Sequence, residues 1–402
     1  MGRRIMSLAV AAAFALLASG CWYQAGFDPG HSSDNTLEST ITPSNVASLV
    51  KRWNSTLTCS CGGGTSSPVA TGKTMYLPVF ETDLSGKPPG LVSLNEKTGA
   101  VNWEVPLPGA PSTPAIGNTI YGGNGLVFVT LTNGDGSPEL EAVQASTGIP
   151  AWVDPLGGQS PTAPTLAAGP VGAPSGTGTI YVSTTSGLRV VQNFTTDGTY
   201  LKTSAIGTYS SPVAIGNGLA YVGGSDGTLQ ALNSSTLAPV WSASVATAPT
   251  QGVAASPAVS SGNVYAASLD GDVGGFNATT GAPLWHALVS GSIPQAPAVG
   301  GGQMFVTANQ SGGVATLYAF DMNSGGQLWS HNDPLDVSAS GPVLANGLVY
   351  YDNGFGNLDA LIPSTGHVQA QLPILVAEEA PPIVDNGQVF AVDSGGVQAD
   401  SP

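Results

Sequence analysis

The sequence predicts an all-β protein, an eight-bladed β-propeller built of four-stranded antiparallel blades. Residues 211–241 show its repeat unit best, as short apolar runs with the period-2 alternation that is typical of strands. Asn217-Gly218 and Asp226-Gly227 separate successive runs, and glycine supplies the positive φ that tight hairpin turns require. Similar units follow at intervals of about 40 to 50 residues, which suits four strands and their turns.

Two residue types mark the limits of each unit. A proline opens every unit: Pro68, Pro114, Pro164, Pro212, Pro257, Pro297, Pro342 and Pro381. A Thr-Gly or Ser-Gly turn precedes the closing tryptophan in most units, though not in the fourth. The closing tryptophans are Trp103, Trp152, Trp241, Trp285 and Trp329. Lys202 and Ala370 stand at that place in the third and seventh units. Eight opening prolines predict eight blades, and seven blades are the alternative if a degenerate repeat is absorbed.

The last unit is incomplete, because residues 381–399 end before any closing tryptophan. The chain carries the missing piece near its other end, in residues 46–53, which close on Trp53. We therefore expect the N-terminal strand to complete the eighth blade and close the ring. Closure of this kind removes exposed sheet edges, which otherwise invite aggregation.

The N-terminus predicts export. Arg3 and Arg4 precede an apolar run at residues 5–17 that is too short to span a bilayer, as in a secretory signal. The following Leu-Ala-Ser-Gly-Cys resembles a bacterial lipobox, so Cys21 is the candidate lipid anchor. An ordinary signal peptide with a chance cysteine is the alternative.

These signals divide the chain into three parts: a lipoprotein signal peptide at residues 1–20, a polar tether at 21–44 and the propeller at 45–402. No other segment is apolar enough to span a membrane. The expected location is therefore extracytoplasmic, on the periplasmic or cell-surface side, with the lipid anchor as the only contact with the membrane.

Cys59 and Cys61 are the two remaining cysteines. Export to an oxidising compartment favours a disulfide between them. A Cys-x-Cys ring is small and strained, so intermolecular pairing, free thiols and a soft-metal site stay open as alternatives.

The charge balance excludes nucleic acid as a partner. Nine basic residues face 25 acidic ones, for a net charge of −16, and neither Lys nor Arg occurs after Lys202. Such a surface repels phosphate backbones. It is also poorly suited to hold a free polyanionic cofactor.

Three local patterns that carry chemistry in other proteins are interpreted as structural. Residues 223–227 match Gly-x-Ser-x-Gly, but a strand follows where a nucleophile elbow requires a helix. Asp270-Gly271-Asp272 lacks the distal ligands of a calcium loop. The four histidines show neither His-x-His nor His-Glu-x-x-His spacing. The sequence thus predicts no catalytic residue and no metal ligand.

The repeat resembles that of the PQQ-like, quinoprotein-type eight-bladed propellers. The shared features are Ser-Pro, Gly-x-Val-Tyr-Val, Asp-Gly-x-Leu-x-Ala-Leu-Asn and Thr-Gly-x-x-x-Trp, best seen in residues 211–241 and 256–285. The similarity covers about residues 45–399. In that family the tryptophans pack between neighbouring blades as a structural girdle. The resemblance implies this role for Trp53, Trp103, Trp152, Trp241, Trp285 and Trp329.

The residues that hold PQQ in enzymes of this family are not matched. Those enzymes place the cofactor on a vicinal Cys-Cys disulfide beside a calcium ion, whereas Ser60 separates Cys59 from Cys61. Beyond Lys97 the chain has only Arg189 and Lys202 as basic residues. We therefore expect no PQQ, no calcium and no other cofactor.

Together with the lipobox-like sequence at Cys21 and the unmatched cofactor residues, the resemblance implies a non-enzymatic, lipid-anchored, monomeric propeller. Its expected role is a protein-binding or assembly scaffold in the cell envelope, with envelope proteins as partners. A PQQ-dependent, dehydrogenase-like redox protein is one alternative. A cell-envelope polysaccharide binder is the other, with Tyr209, Tyr351 and Phe355 as candidate stacking aromatics.

Overall fold

The protein is an eight-bladed β-propeller, which confirms the predicted fold. The computed structural model describes residues 21–56, 66–80, 88–118, 122–168, 178–192, 201–246, 251–311, 313–333, 340–354, 356–374, 380–393 and 396–402. Within these ranges the chain forms eight antiparallel sheets of four strands, and a short parallel strand extends the seventh. The predicted disulfide residues Cys59 and Cys61 and the signal peptide at 1–20 lie outside the described residues.

The N-terminal part and blades 1 to 4 contain strands β1 to β18. The N-terminal part contains β1 (Asp34–Asn35), a 3-10 helix (Val46–Ser48) and β2 (Val50–Thr56). Blades 1 and 2 contain β3 (Val69–Ala70), β4 (Thr74–Val79), β5 (Gly90–Asn95), β6 (Val101–Pro106), β7 (Ala115–Asn118), β8 (Gly122–Thr132), β9 (Pro138–Gln144) and β10 (Pro150–Pro155). Blades 3 and 4 contain β11 (Thr165–Ala168), β12 (Gly178–Thr184), β13 (Gly187–Gln192), β14 (Leu201–Ile206), β15 (Ala214–Gly216), β16 (Leu219–Gly223), β17 (Thr228–Asn233) and β18 (Pro239–Ser244).

Blades 5 to 8 continue in the same order. Blades 5 and 6 contain β19 (Ala258–Ser260), β20 (Asn263–Ala267), β21 (Asp272–Asn277), β22 (Pro283–Leu288), β23 (Ala298–Gly300), β24 (Gln303–Gln310), β25 (Val314–Asp321) and β26 (Gln327–Asp333). Blades 7 and 8 contain β27 (Val343–Ala345), β28 (Leu348–Asp352), β29 (Asn357–Ile362), β30 (His367–Pro373), β31 (Ile383–Asp385), β32 (Gln388–Asp393) and β33 (Gly396–Ser401). No described helix is both long and apolar enough to cross a membrane.

The hairpins within the blades have the predicted turn chemistry. In blade 4, Asn217 and Gly218 both have positive φ, at 53° and 75°, and join β15 to β16. Asn346 and Gly347 do the same in blade 7. Two consecutive residues with positive φ match the right-handed twist of the flanking strands, which is why Asn-Gly recurs at this corner.

The N-terminal strand closes the ring, as predicted. β2 pairs antiparallel with β33, from Val50 opposite Ser401 to Thr56 opposite Gly396. It is thus the outermost strand of blade 8, whose sheet order is β2-β33-β32-β31. The first and last strands of the ring are therefore joined by hydrogen bonds, although they lie at opposite ends of the chain.

The closing tryptophans reach from one blade to the next. The indole Nε1 of Trp241 donates to the Ala278 carbonyl of blade 5 at 3.0 Å, and that of Trp285 donates to Met322 of blade 6 at 2.8 Å. Trp53, Trp103 and Trp329 make the same contact with Glu96, Ala145 and Pro363. Trp152 contacts Phe128 of its own blade, with ring centroids 5.8 Å apart. Each contact in the first five cases places an indole against the turn of the following blade.

The predicted polar tether is instead packed into the propeller. Trp22, Gln24, Asn35 and Ile41 are buried. Residues 22–35, here called the axial segment, hydrogen-bond to the first strand of every blade. The backbone pairs are Ala70 with Trp22, Ile116 with Tyr23, Ile215 with Pro29, Val259 with Gly30, Val299 with Ser32 and Leu344 with Ser33. The side chains of Gln24 and Asn35 bond to Leu166 and Val384.

The first strands of neighbouring blades contact one another around the ring centre, so the axial segment lies across the central channel. Inner strands expose unpaired backbone groups there, and a buried polar group must find a partner. The polar composition of the axial segment, which suggests a tether in the sequence, provides hydrogen-bond partners for these backbone groups.

Candidate functional site

A cavity of about 510 Å³ lies on the axis of the ring. The segments that precede the first strand of the blades form its wall, including Ser67, Thr113, Thr162 and Ser256. The axial segment forms its floor with Trp22, Ala25, Gly26, His31 and Ser33. The Ser-Pro and Thr-Pro openings of the repeat therefore surround one central space, with one end covered by the chain's own N-terminal part.

Several hydroxyls of the wall and of the residues beside it are already used by the fold. Ser211 Oγ accepts from Gly223 N at 2.7 Å and donates to the Pro212 carbonyl at 2.9 Å. Ser183 Oγ donates to the Ser211 carbonyl at 2.6 Å and so links blade 3 to blade 4. Thr130 and Thr307 make equivalent links to Thr162 and Ser340. The repeated hydroxyls near the axis thus hold blades together.

His31 is the one titratable side chain among the described residues that line the cavity. It is buried, with Nε2 2.9 Å from Thr165 Oγ1 and Nδ1 2.7 Å from Ser256 Oγ. Burial lowers the pKa of His31 to about 4, because desolvation penalises the imidazolium form. At neutral pH the described cavity lining therefore carries no charge.

This lining does not fit a quinone cofactor of the PQQ type. PQQ is a polycarboxylate, and an anion of that charge needs basic side chains or a bound cation. The described lining contains no Lys or Arg, and no Asp or Glu that could hold a calcium ion. Arg189 lies elsewhere, 3.7 Å from Asp154 between blades 2 and 3.

Cys21, the predicted lipid anchor, directly precedes the axial segment. Its Sγ donates to the Thr71 carbonyl at 3.2 Å and is buried against blade 1. Burial raises the pKa of this thiol to about 11. Lipid attachment at Cys21 stays a prediction, and it requires the sulfur to turn away from Thr71.

The two candidate stacking aromatics that the structure describes do not form a platform. Tyr209 and Tyr351 are buried, and Phe355 lies outside the described residues. The phenol of Tyr351 donates to Asp333 Oδ2. The aromatic faces of Tyr209 and Tyr351 are therefore not available to a sugar ring at the surface.

Exposed apolar side chains recur instead on the outer strands. On β22, Leu284 and Leu288 are 46% and 66% exposed and alternate with the inward-facing Trp285. Val240 on β18 and Leu328 on β26 are also about half exposed. Each of these strands is the last in its sheet, so one edge has no strand partner in the described chain. The circumference of blades 4 to 6 is thus both apolar and open at its edges.

The structure also brings together His331, Asp333 and Asp359, which the sequence does not single out. One ligand atom from each lies within 4.8 Å of the others. The missed signal is His-x-Asp on a strand, because period-2 alternation puts both side chains on one face. Asp359 is distant in sequence and comes from the next blade, so no local spacing indicates it.

The comparisons with known proteins agree with this architecture. A family model described as "Outer membrane protein assembly factor BamB" matches residues 88–251, 158–292 and 238–401. A search of curated proteins found no match to the chain. Among solved structures, BamB from Moraxella catarrhalis is 19% identical with a TM-score of 0.64, over 88% of this chain and 97% of that one.

Enzymes share the fold as well. A quinohemoprotein alcohol dehydrogenase, ADHIIG from Pseudomonas putida HK5, is 13% identical with a TM-score of 0.69, over 92% of this chain and 75% of that one. A europium-containing methanol dehydrogenase is 14% identical with a TM-score of 0.68, over 93% and 89%. At these identities the structural similarity shows the fold alone.

Proposed function

The chain belongs to the family described as outer membrane protein assembly factor BamB, and from this premise we propose that it is a non-enzymatic, protein-binding scaffold of the cell envelope. The lipid anchor at Cys21 and an extracytoplasmic location are parts of the same proposal. A partner protein, rather than a small molecule, is its ligand.

The observation that carries the proposal is the outer strand of blade 5. Leu284 and Leu288 expose their side chains on a strand whose outer edge is unpaired in the described chain. Several large, half-exposed apolar side chains on neighbouring outer strands favour a protein interaction site. An open strand edge adds backbone donors and acceptors that a partner's extended segment can pair with.

The central cavity supports the same choice. Its described lining is uncharged at neutral pH, and the hydroxyls of Ser67, Thr130 and Ser210 in that lining link neighbouring blades. Neither the chemistry of a quinone site nor a stacking surface for sugars is favoured by the residues present. The described residues therefore favour protein binding at the circumference over catalysis in the central cavity.

Site-specific photocrosslinking in native membranes tests the proposal. A photoreactive residue at position 284 or 288 should give a discrete adduct with an envelope protein, identified by mass spectrometry. Ser242, which is exposed and polar on the outer strand β18 of blade 4, provides the matched control position. Leu288→Asp should abolish the adduct formed from position 284, while Ser242→Asp should leave it unchanged.

Equal thermal melting of both variants would show that the ring is intact. If positions 284 and 288 gave no discrete adduct, or only the adducts also formed from position 242, the scaffold proposal on this face would be wrong.

A further inference from the structure

The groove between blades 6 and 7 contains an unusual group of side chains. His331 and Asp333 lie on the outer strand β26 of blade 6, on the same face as Trp329. Trp329 Nε1 donates to the Pro363 carbonyl at 2.7 Å, so this face is turned toward blade 7. Asp359 on β29 of blade 7 meets the two side chains from the other side.

The three side chains have the geometry of a metal-binding set. His331 Nε2 is 3.6 Å from Asp333 Oδ1, and one carboxylate oxygen of Asp359 lies within 4.8 Å of both donors. The side chains of His331 and Asp333 are 28% and 14% exposed, whereas Asp359 is fully buried. The group is thus anchored on its inner side and reachable by an ion from solvent.

Neighbouring side chains orient the two carboxylates. Gln371 Nε2 donates to Asp359 Oδ1 at 3.1 Å, and Asn353 Nδ2 donates to the same oxygen at 3.3 Å. The hydroxyl of Tyr351 donates to Asp333 Oδ2. Hydrogen bonds of this type fix the direction of ligating oxygens and are a regular feature around protein metal sites.

The repeat shows that these residues are a departure from the ordinary blade. The positions two and four residues after the closing tryptophan lie on the same face of the strand as the tryptophan, and both are apolar in blades 1, 4 and 5. They are Val105 and Leu107 in blade 1, Ala243 and Val245 in blade 4, and Ala287 and Val289 in blade 5. In blade 6 the same positions are His331 and Asp333. Replacement of an apolar pair between blades by two polar side chains needs a compensating interaction.

The chain itself offers little positive charge for that compensation. Asp154, two residues after Trp152 in blade 2, has Arg189 at 3.7 Å. No Lys or Arg occurs after Lys202, so no such residue from the second half of the chain can balance Asp333 and Asp359. His331 is their one titratable basic neighbour in this group, and a divalent cation would balance both carboxylates.

We propose that His331, Asp333 and Asp359 bind one divalent transition-metal ion of the zinc class in the groove between blades 6 and 7. An imidazole with two carboxylates suits Zn²⁺ or Mn²⁺, while Ca²⁺ and Mg²⁺ prefer oxygen donors alone. The ion joins a strand of blade 6 to a strand of blade 7.

Calorimetric titration of Zn²⁺ into metal-stripped protein tests the site. We expect one Zn²⁺ per chain, weaker binding of Mn²⁺, still weaker binding of Ca²⁺, and a thermal midpoint that rises with Zn²⁺ concentration because the ion binds the folded state. His331→Gln and Asp359→Asn should remove this binding. Tyr351→Phe, which changes only an orienting group, should weaken it by about 10- to 100-fold.

His286→Gln is the matched control. His286 Nε2 lies 2.5 Å from Asp272 Oδ1 in blade 5, so this pair offers one histidine and one carboxylate. The control should bind Zn²⁺ like the unmodified protein. His331 is partly exposed, so His331→Gln gives a folded variant even if the buried Asp359→Asn does not. Unchanged Zn²⁺ binding in His331→Gln, or equal loss in His286→Gln, would mean adventitious ion binding only and would overturn the proposal.

Discussion

At five junctions between blades, a glycine lies directly against the tryptophan of the preceding blade. Gly281 has a φ of 71°, and a Cβ atom at this position would lie 2.5 Å from Cδ2 of Trp241 in the preceding blade. Gly99, Gly148, Gly325 and Gly366 meet Trp53, Trp103, Trp285 and Trp329 in the same way. Glycine is required there for two separate reasons, the left-handed backbone and the absence of room above it.

Two alanine substitutions in blade 5 separate these reasons. Gly262 has a φ of 78° with open space around it, so Gly262→Ala should cost only the backbone penalty of about 1–2 kcal/mol. Gly281→Ala adds a steric conflict with Trp241, and overpacking of this kind typically costs a further 1–3 kcal/mol or so. Chemical denaturation of both variants measures the difference. Equal free energies of unfolding would show that Trp241 can move to accommodate the added Cβ atom without destabilising the protein.

The axial segment is the element that the propeller repeat does not explain. Its carbonyls accept backbone hydrogen bonds from six blades, and two of its side chains reach the remaining two. Gln24 is fully buried, with Nε2 3.2 Å from the Leu166 carbonyl and Oε1 2.6 Å from Leu166 N. The side-chain amide of Gln24 thus does what a neighbouring strand would do: it provides hydrogen-bond partners for both the N–H and the carbonyl of Leu166 on β11.

Gln24→Ala should therefore destabilise the protein and free one particular amide. Loss of a partner for a buried backbone group costs about 1–3 kcal/mol. Hydrogen exchange should accelerate most at Leu166, while the amide of Ile215, held by the Pro29 carbonyl at 2.6 Å, should keep its protection. Gln230→Ala on β17, outside the axial segment, is the control. If exchange at Leu166 matched that control, the segment would not be a structural part of the channel.

The propeller repeat and the axial segment differ in how well the sequence predicts their structure. Blades, turns and ring closure follow from the sequence because each rests on local, repeated patterns such as Asn-Gly and Gly-x-x-x-Trp. The role of Gln24 does not, since its partner Leu166 is 142 residues away and a polar stretch looks the same whether it is solvated or bonded to backbone. The proximity of Asp359 to His331 cannot be predicted from the sequence for a related reason: the two residues are close only because adjacent blades pack face to face.

At the scale of the whole molecule, the fold buries acids in a chain that has few bases. Burial raises the pKa of Glu141 to about 7, with the charge of Glu139 adding to the effect, and burial together with Asp28 raises that of Asp34 to about 6. Glu96 and Asp385 face each other between blades 1 and 8, and burial raises the pKa of both. His31 is the opposing case, with its pKa lowered to about 4.

These shifts predict a protein that is more stable in mild acid than at pH 8. An acid whose pKa is higher in the folded state binds more protons than the unfolded chain, so stability falls as pH rises from the unfolded value to the folded one. For Glu141 this window runs from about 4.5 to about 7. His31 acts in the opposite direction between about 4 and 6.5, but it is one group against several acids.

The thermal midpoint should therefore be higher at pH 5 than at pH 8, by several degrees, in buffers of equal ionic strength. Glu141→Gln keeps the size of the side chain and removes its charge, so it should reduce the difference between the two pH values by raising the midpoint at pH 8. Glu104→Gln, on the outer strand β6 where the side chain is exposed, is the comparison and should leave the difference nearly unchanged. A thermal midpoint that rises from pH 5 to pH 8 would contradict the prediction, because it would mean that these carboxyl groups are ionised in the folded protein and that their pKa values are not raised.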